Sequence, residues 1–347
     1  MTNRLAWLDL FRGVSALMIV LFHYHDYLGL GGFQFGFLAV DGFFVLSGIV
    51  LSLRYTEAIA EGLPLRTFAA ARLMRLYPMT VIAGLFVVLL DVAHAPPNPY
   101  MWPGTNGVWT IFLLFVPTVG GLTVSTDAAF PPDIPLWSLW AELLANAVWF
   151  AVMRIGRRWM RWLGIAAMLV LVAFAWSFGT MDHGWENSIS MRIFTLARAL
   201  AWFSVGYMIA RAKVRPVASP AVLALALAAV FVVFSSGLQM AWSIQLATVA
   251  LAAALLHALL DAPEPGPAVR TAAKALGLAS FPLYLVHTPA GRLMAIFGDR
   301  VPHVVVLLAV LVPIVVVATW LNERAIGALH RRWRIAPHDG SSRAQEA

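Results

Sequence analysis

The sequence predicts an all-α polytopic membrane protein, with about ten transmembrane helices and both termini in the cytoplasm. Three observations carry that prediction. Hydrophobic residues make up 61% of the 347 and charged residues 12%, a balance that belongs to membrane-embedded chains rather than soluble domains. Apolar stretches of about 20 residues, the length that crosses a bilayer core, recur along the chain. The basic residues between them gather in clusters, as the positive-inside rule requires of cytoplasmic loops.

Taken in order, the apolar stretches lie near 9–30, 36–55, 76–95, 135–155, 163–179, 192–211, 219–238, 241–260, 278–297 and 302–322. A shorter run, 107–122, is interrupted by Pro117. If that run does not cross, five basic clusters share the side of the N-terminus. They are Arg54/Arg66/Arg72/Arg75, Arg154/Arg157/Arg158/Arg161, Arg211/Lys213/Arg215, Arg270/Lys274 and Arg331/Arg332/Arg334. If it does cross, the first cluster is cut off from the other four, which the positive-inside rule disfavours. The expectation is therefore ten spans, with 96–134 an external segment that holds a re-entrant or surface-lying helix. A loop of that length is more often functional than idle; it reads either as a lid over an outward-facing site or as a packed plug. Residues 1–334 are expected to form one membrane-embedded domain, and the polar tail 335–347 to be disordered. No cleavable signal peptide is expected.

Composition also removes several classes of function. The chain has no cysteine, which excludes disulfides, thiolate nucleophiles and cysteine metal sites. No HExxH-like spacing occurs, and no metal site is expected. The net charge of +7 reads as basic cytoplasmic loops rather than a nucleic-acid surface.

The polar residues inside the apolar stretches are the candidates for chemistry, because an ionisable group in a spanning helix is expensive and functional by default. Arg12 and His23 stand eleven residues apart, close to three full turns. They share a helix face, separated by about 16 Å along the axis. Counting from the span ends places His23 and Glu142 at similar depth, about 10 Å from the outer side. Asp41, Arg198 and His287 fall in the same middle-to-outer zone. A histidine paired with a carboxylate in a dry site is the usual construction of a general base; the alternative is an interhelical hydrogen bond without chemistry. His25 points away from the His23 face. His94, His183, His257 and His303 read as edge or packing residues. Toward the cytoplasm, Arg72 and Arg75 flank one helix face and form a basic cluster with Arg12. That cluster either anchors anionic lipid or holds the phosphates of a nucleotide-bearing substrate. Trp137 reads as a sugar-stacking platform or as an interfacial tryptophan.

Five motifs in order then resemble the membrane acyltransferase family 3. LDLFRGVSALMIVLFHY is similar to its opening motif, FLAVDGFFVLSGIVLS to its second-span motif and ARLMRLYP to its Arg-rich cytoplasmic motif. PLWSLWAELLANAVWF is similar to its Trp-Ser-Leu…Glu motif, and LASFPLYLVHTP to its late Ser…Tyr-Leu…His motif. Two positions depart from the pattern: Ala141 stands where a second carboxylate often precedes Glu142, and Phe281 follows Ser280 in place of tyrosine. The resemblance implies an integral membrane O-acyltransferase of a bacterial cytoplasmic membrane. It would move a short acyl group, typically acetyl, from acyl-CoA to a hydroxyl, most often on a glycan sugar on the extracytoplasmic side. It also implies catalysis by His23 with Glu142 and phosphate binding by Arg12, Arg72 and Arg75. Asp41, Ser47, Trp137, Ser138, Arg198, Tyr284 and His287 would be substrate-binding or supporting residues, with Ser47 or Ser138 carrying the acyl group if transfer went through a covalent intermediate. The competing class is a transporter without catalysis, against which stands the absence of internal repeats.

Overall fold

The computed structural model describes residues 5–30, 32–93, 135–184, 186, 188–212, 220–234, 241–294 and 302–333. Among the described residues the chain forms ten α-helices: α1 (Leu5–Tyr24), α2 (Ala39–Ala60), α3 (Leu65–Val92), α4 (Leu136–Ile155), α5 (Trp159–Phe178), α6 (Ile189–Arg211), α7 (Pro220–Phe234), α8 (Trp242–Leu260), α9 (Pro267–Met294) and α10 (His303–Trp333). Each predicted span corresponds to one of them. The 96–134 segment and the 335–347 tail lie outside the described residues.

Eight of the ten, rather than all, are long and apolar enough to cross a membrane, which makes this a polytopic membrane protein. The two exceptions have different causes. Helix α7 has 15 described residues, short of the roughly 20 a span needs. Helix α9 is 28 residues long, but Arg270, Lys274, Ser280, Tyr284, His287 and Arg292 dilute its apolar character. From Ser280 to Gly291 its polar residues are buried against neighbouring helices, so the polar helix of the bundle is an interior one.

Helix directions follow from the contacts. Arg12 meets Gly277 and His23 meets His287, so α1 and α9 are parallel. Phe68 packs on Phe150 while Arg72 reaches Glu142, so α3 and α4 are antiparallel. The chain thus leaves α3 and enters α4 at the same end of the bundle. Asp41 pairs with Arg198 and Glu57 with Arg211, so α2 and α6 are parallel. This alternation gathers Arg54, Arg66, Arg154, Arg157, Arg158, Arg161, Arg211, Arg270 and Lys274 at one end, called here the basic end.

Close backbone approach holds the centre together. A Cβ at Gly48 would lie 2.1 Å from the Phe203 carbonyl oxygen, and one at Gly206 would lie 2.0 Å from that of Val45. Only glycine lets α2 and α6 touch in this way, the usual device where lipid supplies no hydrophobic drive between helices. Helix α1 meets α9 similarly, with Gly277 against Asp9. Two boundaries differ from expectation. Helix α1 stops at Tyr24 rather than near residue 30, followed by turns through Gly29 at φ 65°. Helix α3 starts at Leu65, so Arg72 and Arg75 stand within it rather than ahead of a span that begins at residue 76.

Candidate functional site

The last turn of α1 presents His23, half-buried, to the fully buried His287 of α9. His23 Nδ1 and His287 Nε2 are 2.9 Å apart. His287 Nδ1 lies 3.2 Å from the Leu283 carbonyl oxygen one turn earlier. A carbonyl can only accept, so His287 Nδ1 carries its proton and, in the neutral ring, Nε2 is left as an acceptor. His23 Nδ1–H then donates to it, and the lone pair of His23 falls on Nε2. The hydrogen-bond chain assigns both tautomers in this way. Tyr24 fastens the same place by donating its hydroxyl to the His287 carbonyl.

Glu142 takes a different partner from the expected one. Ser47 Oγ donates to Glu142 Oε1 at 2.9 Å and Arg72 Nη2 donates to the same oxygen at 3.1 Å. No hydrogen bond joins Glu142 to His23. The expected histidine–carboxylate pair is replaced by a histidine–histidine pair, because the α9 face, not the α4 face, lies against the end of α1. Glu142 Oε2 accepts no hydrogen bond among the described residues, and the side chain is 19% exposed.

The three arginines gather as the sequence suggests, each in a different setting. Arg72 is buried, Arg12 is half-buried and Arg75 is exposed. The charge of Arg75 acts on both Arg12 and Arg72. Arg12 is held by Asp9 Oδ1 at 2.9 Å and by the Gly277 carbonyl at 2.7 Å. Along α1 the face between Arg12 and His23 is filled by Ala16 and Ile19, both essentially inaccessible. The contacts that lead from the arginines to the histidines run through other helices: Arg72, Glu142, Ser47, then Phe43 edge-on to Tyr284 at 6.0 Å, then Tyr284 beside His287 at 6.1 Å.

Around this line the remaining predicted residues have structural partners. Ser138 Oγ donates to the Pro135 carbonyl at 3.0 Å and lies 2.7 Å from the Tyr284 hydroxyl, which ties the start of α4 to α9. Asp41 receives two hydrogen bonds of 2.7 Å from Arg198. Arg198 also donates to the carbonyls of Met181 and His183, at 2.8 and 3.0 Å. Its guanidinium lies over the rings of Phe37 and Trp137, so Trp137 is partly covered. In the α5–α6 loop, the hydrogen bond to Glu186 pushes the His183 imidazole above its ordinary 6.5. Burial raises the Glu186 carboxyl, but hydrogen bonds from His183 and the Gly184 N–H outweigh it and hold the group below its ordinary 4.5.

With this geometry in place, comparison with known proteins is decisive. An acyltransferase-domain family model, that of acyltransferase 3, matches residues 5–323. The chain belongs to the acyltransferase 3 family. A protein described as "Protein 2 in picA locus" of Rhizobium radiobacter is 32% identical over 186 residues, which is half of this chain and 96% of that protein. No solved structure matches.

Membership makes the chain a membrane acyltransferase, and the structure brings the five acyltransferase motifs into contact. The motifs of α1 and α9 meet at His23 and His287; those of α2, α3 and α4 meet at Ser47, Arg72 and Glu142. Two residues of this acyltransferase escaped the sequence reading. Leu283 contributes only a carbonyl, for which no side-chain signal exists. Asn146, 1% exposed, has both side-chain polar atoms buried without a partner among the described residues. It follows Glu142 by four residues on α4, a spacing that puts both on one face and was legible as such. Among the described residues, no group of three or more histidines and carboxylates is placed to hold a metal.

Proposed function

We propose that this acyltransferase moves a short acyl group, acetyl in the simplest case, from acyl-CoA to a hydroxyl of an acceptor reached from the end opposite the basic clusters. The acceptor class is a glycan sugar, and by the positive-inside rule the basic end is cytoplasmic. The phosphates of the donor first meet exposed Arg75, then Arg12 and Arg72, as guanidinium geometry suits. The acyl-bearing arm follows the line past Glu142, Ser47 and Phe43 toward His23. His23 Nε2 takes the proton of the acceptor hydroxyl, the oxygen attacks the thioester carbonyl carbon, and the carbon–sulfur bond breaks. The departing CoA thiolate takes the proton back from the His23 imidazolium. Through this cycle His287 accepts from His23 Nδ1, which holds the tautomer and steadies the imidazolium. Ser138 is a poor nucleophile, since its hydroxyl is engaged by Pro135 and Tyr284, and direct transfer is preferred.

The observation that carries this reading is the hydrogen-bond chain from Leu283 through His287 to His23, which leaves the accessible histidine with a free basic nitrogen. The test is transfer of radiolabelled acetyl from acetyl-CoA by the purified protein to a panel of sugars and lipid-linked glycans. His23→Ala is expected to lower the rate by about a hundredfold or more. His287→Ala should cause a smaller loss and a shifted pH profile, because a positioning residue acts through the base. Near-normal transfer by His23→Ala would remove the general base from the mechanism.

A further inference from the structure

On the face of α9 turned away from the catalytic line lies a groove of about 1020 Å³ between α9 and α10. Its size is at the upper end of small-molecule pockets. It exists because Ala275, Ala279, Gly327 and Ala328 line it; their side chains are too short to close the gap between the helices. Leu278, Val315 and Val316 supply apolar walls. The chemistry changes toward the basic end of α10, where Trp320, Glu323 and Arg324 complete the lining. The Arg324 guanidinium rests 4.1 Å from the centre of the Trp320 ring, which fixes it at the groove rather than leaving it to wander. Glu323 and Arg324 are both exposed, and neither forms an ion pair or hydrogen bond among the described residues. Tryptophan with adjacent charges marks the water interface of a bilayer. The groove is therefore apolar along its length and carries one cation and one anion side by side at headgroup level.

We propose that this groove is a binding site for a phospholipid whose headgroup carries both a phosphate and a primary ammonium, of the phosphatidylethanolamine type. The acyl chain lies along Leu278, Val315 and Val316. The phosphate takes charge-assisted hydrogen bonds from Arg324, and the ammonium donates to Glu323. Charge complementarity decides the headgroup. An anionic lipid such as phosphatidylglycerol would satisfy Arg324 but offer Glu323 only neutral hydroxyl donors, whose hydrogen bonds are weaker than the charge-assisted one from an ammonium. A choline headgroup cannot donate a hydrogen bond to that carboxylate. Because the groove backs onto the segment of α9 that holds Arg12 through the Gly277 carbonyl, its occupant braces the helix that also carries His287.

The test uses the full chain in nanodiscs and by native mass spectrometry, with phosphatidylethanolamine, phosphatidylglycerol and phosphatidylcholine of identical acyl chains. Wild type is expected to retain phosphatidylethanolamine about fivefold over phosphatidylglycerol, the worth of one interfacial ion pair. Glu323→Gln should bring that ratio to about one while both lipids still bind, since it removes a single pair. Arg324→Gln should weaken retention of both. Ala279→Trp, which fills the groove, should abolish specific retention with the elution volume unchanged. Equal retention of the three lipids by wild type, or an undiminished preference in Glu323→Gln, would overturn the proposal. Since all three variants lie outside the catalytic line and the readout is lipid retention, the outcome is independent of the acyl-transfer reading.

Discussion

Two arginine–carboxylate pairs between helices, Arg198–Asp41 and Arg72–Glu142, are built to opposite specifications. Arg198 and Asp41 are 1% and 0% exposed. Both carboxylate oxygens are used, the guanidinium also serves two loop carbonyls, and aromatic rings cover its faces. Arg72 and Glu142 meet through one oxygen only, share it with Ser47, and leave Arg72 Nε and Glu142 Oε2 without partners among the described residues. Burying a charge is expensive unless every lone pair and proton is met. In the first pair every side-chain nitrogen and oxygen has a partner, and the pair works as a clasp joining α2, α6 and the α5–α6 loop. The second leaves hydrogen-bonding capacity over and sits on the line between the arginines and the histidines. A saturated pair has nothing to offer a substrate; an unsaturated one does.

The comparison breaks first at the clasp. Asp41→Ala leaves Arg198 buried without its counter-ion, which costs about 3–5 kcal/mol; the expected result is little or no folded protein by size-exclusion chromatography. A folded Asp41→Ala protein with unchanged Tm would show that the sealed pair is dispensable. Glu142→Gln should do the reverse. Its Tm should stay within about 3 °C of wild type, while acyl transfer falls by about tenfold, because the donor arm passes a side chain that has lost its charge. If Glu142→Gln unfolded instead, the two pairs would be alike after all. Arg75→Ala sharpens the functional side: an exposed arginine contributes modestly, so donor KM should rise about fivefold with kcat nearly unchanged. Raised salt should mimic the effect in wild type.

The smallest effect concerns the loop that the clasp holds. The His183 pKa is raised above 6.5 in the folded protein, so its contribution is complete below that value and fades as pH rises through the raised one. The Glu186 pKa is lowered below 4.5, so its contribution is complete above that value and fades as pH falls through the lowered one. The pair is thus strongest between the two ordinary values. His183→Gln should lower Tm by about 1–2 °C near pH 5.5 and leave it unchanged near pH 9. An equal loss at both pH values would assign His183 a packing role instead.

Much of this organisation was readable before any contact was known. Ten apolar stretches anticipated ten helices, because the bilayer imposes length and composition on anything that crosses it. What blurred was at the edges and in the polar helix. Helix α1 ends at Tyr24 because turn residues follow, though the apolar composition runs on to residue 30. Helix α9 is less apolar than a lipid-facing span because Ser280, Tyr284, His287 and Thr288 face protein and Arg270 and Lys274 are exposed near its start. Arg12, Arg72 and Arg75 were grouped by their positions near span ends, and they do gather. Ser47 was singled out as a supporting residue or possible nucleophile, without a partner, and in the fold it donates to Glu142.

The sequence by itself determined local properties: which stretches form the helices, which clusters mark the basic end, and that His23 and Arg12 share one face of α1. Hydrophobic patterning encodes position along the membrane normal and the period of a helix encodes its faces, so these are local properties. Only the tertiary structure decided who faces whom. His23 and Glu142 were counted to similar depths, yet the histidine found His287, 264 positions away, and the carboxylate found Arg72 and Ser47. The faces that α1, α2, α6 and α9 present to one another are those where glycines let the helices touch, at Gly48, Gly206 and Gly277. Those contacts couple residues far apart in the chain, and no local period records them.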